Sequence, residues 1–401
     1  MSITRRRFLR AIVGGSAGIL TSCTTDPAAW LPTAAPALLA PRELVIWTTS
    51  YGIDSALARW RGAHPRVPLT RRVIPSEQLQ LWLSEALRGE RPPPDAVITD
   101  ATFIGEWQPR QIWRQLDVSP NTDRLHTSVG LQQSTDMNGV RFAIPLTVNP
   151  IGAWYAKDLL ATFLPDARPE AVATAFGTTV DSFQTFLAQA ANALPIGPFL
   201  SSTLDDFVLP ALDHAIQHDV NMSAEWQNAV LTAGRQTEAQ QHSGAERHFS
   251  GNWYQGIMHE HTGLIIAGRW MQSALMRAVG DAPSSWRLTQ PAGGFIAGPS
   301  LVCAIPERSV QPEAAVALAT DLSTDADAQL LLCADTGTVP TLLQAHQSGP
   351  FIGTDAFCGG QEVGAVWCNA ARTLTTVPLS VERMDKRRSL RDTFVEAFSR
   401  A

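Results

Sequence analysis

Between Glu43 and Thr99 short apolar runs alternate with amphipathic stretches, and this alternation restricts the fold more than any other feature of the chain. Glu43-Leu-Val-Ile-Trp47 ends in the polar Thr48-Thr49-Ser50, and helix-favouring Asp54 to Arg61 follows, closed by Gly62 and Pro65. That reads as strand, loop and helix. Leu69 to Ile74 predicts a second strand. Leu79, Trp82, Leu83, Ala86 and Leu87 then recur at the spacing of one helix face. Asp95 to Thr99, after Pro92-Pro93-Pro94, predicts a third strand with a helix opening at Thr102. Strands and helices alternating at this spacing imply parallel pairing and a sheet covered on both faces, so the fold class is α/β. The 401 residues suffice for two to four domains at roughly 100 to 200 residues each, and 45% apolar with 17% charged residues supplies sizeable cores.

Further along, Gly139 to Leu146 and Ile151 to Tyr155 predict two strands separated by Thr147-Val148-Asn149-Pro150. Proline removes a ladder donor there, so the interruption reads as a crossing between lobes. Residues 157 to 260 read as mostly helical, Gly263 to Ala267 and Ser300 to Ile305 as strands, and Ala315, Leu318, Ala319 and Leu322 as a helix face. A final helix carries Leu390, Phe394, Ala397 and Phe398 on one side.

The amino terminus reads as an address. Thr4-Arg5-Arg6-Arg7-Phe8-Leu9-Arg10 resembles a twin-arginine export signal, with a mildly apolar stretch from Ala11 to Leu20. Leu20-Thr21-Ser22-Cys23 resembles a lipobox, which makes Cys23 the expected lipidation site and the membrane a partner through the anchor. Residues 24 to 41, with four prolines among alanines and threonines, read as a tether. Gly14-Gly15-Ser16-Ala17-Gly18 has the form of a hydrolase nucleophile motif, but it lies inside the signal and carries no catalytic weight. The first 22 residues hold four of the 31 basic groups and none of the 37 acidic ones, so the rest of the chain carries −10. Such a surface repels phosphate backbones and disfavours nucleic acid. Cys303, Cys333, Cys358 and Cys368 allow three disulfide pairings or none.

Signatures of catalysis, metals and cofactors do not survive their context. The chain has no P-loop lysine motif and no H-E-x-x-H, and no G-x-G-x-x-G lies between a strand and a helix. His242, His248, His259 and His261, with Glu260 between the last two, suggest at most a metal-scavenging cluster, and no metal or cofactor is assigned. Tryptophan is over-represented: 12 residues against three tyrosines, and each tyrosine lies close to a tryptophan, as in Trp47 and Tyr51 or Trp253 and Tyr254. An indole offers a broad apolar face and one donor, which suits a ligand with apolar C–H faces and a ring of hydroxyls. Most indoles belong in cores, and two to four are expected to face a cleft.

A resemblance then emerges. Gly139-Val-Arg-Phe-Ala-Ile-Pro145-Leu-Thr-Val-Asn149-Pro-Ile-Gly-Ala-Trp-Tyr155-Ala-Lys157-Asp158-Leu-Leu resembles the hinge segment of extracellular solute-binding protein family 1, the maltodextrin-binding type. Leu44-Val-Ile-Trp47, Pro94-Asp95-Ala-Val, Gly263-Leu-Ile-Ile-Ala-Gly268-Arg-Trp270, Glu313-Ala-Ala-Val-Ala-Leu-Ala and Thr336-Gly337-Thr-Val-Pro340 follow in that family's order. The resemblance implies two doubly wound α/β lobes joined by a hinge, with ligand held between them and no chemistry performed on it. It implies a first lobe of residues 42 to 147 plus 271 to 322 and a second of 148 to 270 plus 323 to 401. It also implies a monomeric lipoprotein that delivers a carbohydrate to the permease subunits of an ABC transporter on the extracytoplasmic side. Thr49, Ser50 and Tyr51 match a ligand-contacting loop, with a helix cap as the other role for its hydroxyls. Asp100 is expected to accept from vicinal hydroxyls, with Thr102 as the helix cap. Asn149 stands where the maltodextrin binders carry a carboxylate, Trp270 aligns with a stacking tryptophan, and Arg269 and Trp253 are further contacts. A polyamine, a phosphorylated polyol or a metal as solute, and an exported hydrolase, are the alternatives. Either charged solute would require several acidic or basic groups converging on the cleft.

Overall fold

The computed structural model describes residues 42–376, except 51, 108–111, 118–119, 137, 194–250, 259–261 and 282, together with positions 385, 389 and 392. The export signal, Cys23, the tether, Tyr51, the histidines near 242–261 and the apolar face of the last helix lie outside the described residues. Among the described residues no helix is long and apolar enough to cross a membrane. The compact unit holding both sheets begins at Arg42.

In chain order the elements used below are β1 (Leu44–Thr48), α1 (Asp54–Ala63), β2 (Leu69–Val73), α2 (Ser76–Arg88), β3 (Ala96–Asp100), α3 (Ala101–Trp107) and α4 (Ser128–Gln132). Then come β4 (Ala143–Pro145), β5 (Thr147–Ala156), α5 (Pro169–Phe176), α6 (Val180–Ala193), α7 (Gly251–Met258), β6 (Leu264–Ala267) and α8 (Met271–Val279). The last are β7 (Trp286–Thr289), β8 (Ile296–Gly298), β9 (Leu301–Ala304), α9 (Pro312–Thr324), α10 (Ala326–Thr336), β10 (Val339–Pro340) and α11 (Val363–Thr373).

Two sheets carry two lobes. The first has the order β2-β1-β3-β9-β4, with β1 parallel to β2 and β3, and β9 antiparallel to β3 and β4. Its period-2 alternation builds a core on each face. Leu44 and Ile46 of β1 join Trp60 of α1, Leu318 of α9 and Leu332 of α10, whereas Trp47 joins Leu79 and Leu83 of α2 and Ile104 of α3. Each such fully buried side chain contributes about 1.5 to 3 kcal/mol. The second sheet is built around β5, which pairs with β6, β7, β8 and β10, all antiparallel. Trp154 faces α7, α8 and α11, while Ala153 and Tyr155 face α5 and α6. Both sheets are therefore covered on both sides.

Within the described residues the chain crosses between the sheets three times. The first crossing runs from β4 through Leu146 into β5. Thr147 to Pro150 does not interrupt it, because β5 is one ten-residue strand. Over Asn149 to Ile151 the strand pairs only with β8, as β6 reaches Gly152 and β10 reaches Val148. One edge is open at Pro150, where a missing N–H costs least. The return crossing was expected after Trp270, but β7 and β8 pair with β5 and keep residues 271–298 with the second sheet. The return instead runs through Pro299 into β9. A third crossing leaves α10, whose Ala328 and Leu332 still belong to a first-sheet core, and enters β10. The expected boundary at 322 therefore moves to the turn after Thr336. These strands are short and flanked by Pro283, Pro291, Gly293 and Gly294, so their apolar runs are too brief to signal strands. Cys303, Cys333, Cys358 and Cys368 are buried free thiols.

Candidate functional site

In open α/β sheets the strands' carboxyl ends and the space between lobes are where ligands bind. Here those places are the loop after β1, the start of α3 after β3, the crossing at Asn149 near the start of β5, and Gly268-Arg269-Trp270 after β6. The turn after α10 brings two of them to one place. A Cβ on Gly52, in the loop after β1, would lie 2.5 Å from the Asp335 carbonyl oxygen and 3.2 Å from the Thr336 nitrogen. A Cβ on Gly337 would lie 2.6 Å from Trp270 Cα. The loop of the first lobe and Trp270 of the second thus both abut the 335–338 turn.

Trp270 stands at the N-cap of α8 and is only partly buried, packed on the second-lobe core. The other indoles show why it stands out. Of the ten described, eight are buried and only Trp82 and Trp270 keep partial exposure. Trp82 lies on α2, edge-on to Trp47 and beneath the Arg91 guanidinium. Trp270 is therefore the single described indole that is both accessible and at a strand's carboxyl end. Gly268 seats it: a Cβ there would lie 2.9 Å from Cδ1 and Nε1 of Trp270 and would run into Asn149 Oδ1. The Gly268 carbonyl is in turn fixed by the Trp154 indole N–H at 3.1 Å. Asn149 Oδ1 is enclosed without a hydrogen-bond donor. An acceptor left in that state costs about 1 to 3 kcal/mol, which a ligand donor would relieve.

Thr49 Oγ1 and Thr99 Oγ1 share a hydrogen bond at 2.8 Å that ties the ends of β1 and β3. The Ser50 backbone N–H donates to Thr48 Oγ1 and its own Oγ accepts from Gly52 N, so the loop is braced by local turns. The helix-cap role does not apply: α1 has no side-chain cap of its own, and Ser55 N donates instead to Asp335 Oδ2 at 3.2 Å. Asp100 reverses the expected division of labour. Its Oδ1 accepts from Thr102 Oγ1 and from Phe103 N, so Asp100 caps α3 and Thr102 only donates to it.

Two expected contacts are otherwise employed. Trp253 is enclosed at 3% exposure in the second-lobe core, edge-on to Tyr254, which removes it as a contact surface. Arg269 donates from Nη1 to the carbonyls of Cys333 and Thr338 and lies over the Phe351 ring. Burial lowers its pKa, and its role is to fasten the turn beneath Trp270. Sequence reasoning missed Gly268 and Gly337 as seats for the indole, although both stand in the motifs that carry the resemblance; only contact geometry reveals what their missing side chains make room for.

Among the described residues the strand ends thus present hydroxyls, one amide, one indole, one carboxylate engaged in capping and one guanidinium engaged with the carbonyls of Cys333 and Thr338. The arrangement is close to neutral. It can accept and donate hydrogen bonds beside an apolar face, but it gathers no cluster of acids or bases.

No family model matches the chain. Solved structures do. An extracellular solute-binding protein family 1 structure matches at TM-score 0.70 with 16% identity, covering 90% of this chain and 98% of the other. The galacto-N-biose-/lacto-N-biose I-binding protein of the ABC transporter from Bifidobacterium longum, in complex with lacto-N-biose, matches at 0.68 with 14% identity, covering 89% and 92%. The GacH receptor of Streptomyces glaucescens, solved unliganded and with acarbose, matches at 0.65 with 15% identity, covering 89% and 93%. With two sheets, three crossings and these neighbours, the chain has the two-lobed, hinged fold of the extracellular solute-binding proteins of family 1.

Proposed function

We propose that this chain is the carbohydrate-binding lipoprotein of an ABC importer, exported through its twin-arginine signal and held on the extracytoplasmic face by acylated Cys23. A mono- or oligosaccharide binds between the lobes, closure about the crossings brings both lobes onto it, and the closed form is delivered to the membrane permease. The ligand leaves unchanged. The observation that carries this reading is the near-neutral crossing, where Trp270 offers an indole face beside the unpaired Asn149 acceptor. Sugars bear both the C–H faces and the hydroxyl donors that such a pair accepts. A polyamine or phosphorylated polyol would call for converging charges, and Asp100 is already committed to α3. The structural neighbours that bind lacto-N-biose and acarbose support the same solute class.

Thr49, Ser50, Asn149 and Trp270 are the proposed contacts, and Tyr51, outside the described residues, is proposed with them on the strength of its sequence motif alone. Ligand stabilises the closed form only by touching both lobes, and that differential affinity shifts the population. A dissociation constant near 1 µM, about −8 kcal/mol, suits capture followed by release. Titration of the tryptophan fluorescence against a panel of mono- and oligosaccharides, putrescine, glycerol 3-phosphate and zinc tests the reading. A saturable response to one or more sugars is expected, and Trp270→Ala should weaken it roughly 30-fold, or about 2 kcal/mol. Saturation by the amine, phosphate or metal alone, or product formation from a sugar, would refute it.

A further inference from the structure

Two buried glutamines hold the crossings. Gln133, at the carboxyl end of α4, is 5% exposed. Its Nε2 donates to the Gly298 carbonyl at 3.1 Å and its Oε1 accepts from Ser300 N at 2.9 Å. Gly298 ends β8 in the second sheet and Ser300 precedes β9 in the first, so one amide grips both sides of Pro299. Gln329, on α10, is fully buried. Its Nε2 donates to the carbonyls of Leu146 at 2.6 Å and Leu322 at 2.8 Å, while its Oε1 accepts from Thr341 N at 3.0 Å and Leu342 N at 3.3 Å. That amide joins the first crossing and the end of α9 to the chain just beyond β10. Ser323 Oγ adds a bond to the Pro145 carbonyl, and Leu146 N donates to Leu301 O, so the first crossing is fixed to the first lobe up to Leu146.

We propose that Gln133 and Gln329 are the pins of the hinge, and that their amides set how far apart the lobes stand before any ligand arrives. Each of the three described crossings is held by one of the two side chains, and each amide uses donor and acceptor at once. Any turning of one lobe against the other must stretch these bonds or carry them along. A buried amide that loses a partner has no water to replace it, so the pins favour the geometries in which all their bonds survive. The inference rests on the two-lobed fold and not on the carbohydrate reading.

The test needs no ligand. Nitroxide labels on Gln80→Cys of α2 and Asn369→Cys of α11, both exposed positions, report the distance between lobes by pulsed electron resonance in a Cys23→Ser background; the other four native thiols are buried. Gln133→Met and Gln329→Met, close in volume to the native side chains, should shift or broaden that distribution. The Ser300, Thr341 and Leu342 amides should also exchange about tenfold faster, since one neutral hydrogen bond is worth roughly that factor. Faster exchange with distances that superimpose on those of the unsubstituted chain would reduce the glutamines to local braces and overturn the proposal. If Gln329→Met does not fold, Gln133→Met decides alone, because it removes the donor to the Gly298 carbonyl and the acceptor for Ser300 N together. Failure of the sugar titration leaves this result untouched, and the converse holds.

Discussion

Gly268 shows how much a single missing methyl group controls. A Cβ there would collide with Asn149 Oδ1 and crowd the Trp270 indole, both on the side of the strand ends. Gly268→Ala is therefore expected to displace both side chains and to weaken sugar binding at least about tenfold, read by calorimetric titration, while far-ultraviolet dichroism stays unchanged. His126 makes a second prediction at this scale. Its Nε2 meets Ser323 Oγ at 3.3 Å, and burial first, with the Arg141 charge adding to it, lowers its pKa to about 4 from an ordinary 6.5. The unfolded chain binds the proton at higher pH than the native one. Stability from this group is thus complete above about pH 6.5, falls as pH drops toward about 4, and then levels. The loss amounts to about 3 kcal/mol and should vanish in His126→Gln, measured by urea unfolding across that range.

At the scale of elements, α10 has the most to lose. Asp325 caps it, accepting from Asp327 N at 2.9 Å and Ala328 N at 3.2 Å. Asp325→Ala should lower stability by about 1 kcal/mol, seen as a lower unfolding midpoint. The same helix shows what a sequence reveals and what it hides. Strands β1, β3, β6 and β9 were legible as compact apolar runs that end in polar or glycine residues, β2 by its place between two helices, and helices α1, α2 and α9 by helix-favouring residues or apolar residues at helical spacing. β7, β8 and β10 were not, since two to four residues beside glycine and proline display no period. Trp270 was legible only through the motif around it. Gln133 and Gln329 were illegible, because an isolated glutamine on a helix reads as a solvated residue and nothing local reveals that it will be enclosed against another strand's carbonyl.

At the scale of the molecule, the buried thiols make a direct prediction. Burial raises each of the four to about 12, so none offers a thiolate in the folded chain. A thiol-reactive dye should label none of Cys303, Cys333, Cys358 and Cys368 until denaturant is added and all four afterwards, with no change in the thermal midpoint under reductant. Solution scattering supplies the companion measurement: the radius of gyration should fall when a sugar saturates the chain, as two lobes approach without a change in mass. The strand order of the first sheet has a further consequence. β9 lies between β3 and β4 and is the only described strand joining them, yet it comes some two hundred residues after β3. Until the ribosome has released Ala304 the nascent sheet remains in two pieces, so this half of the molecule cannot finish assembling early. Closure of this sheet must wait for about three quarters of the polypeptide, and so long a sequence separation makes it a slow, late step in folding.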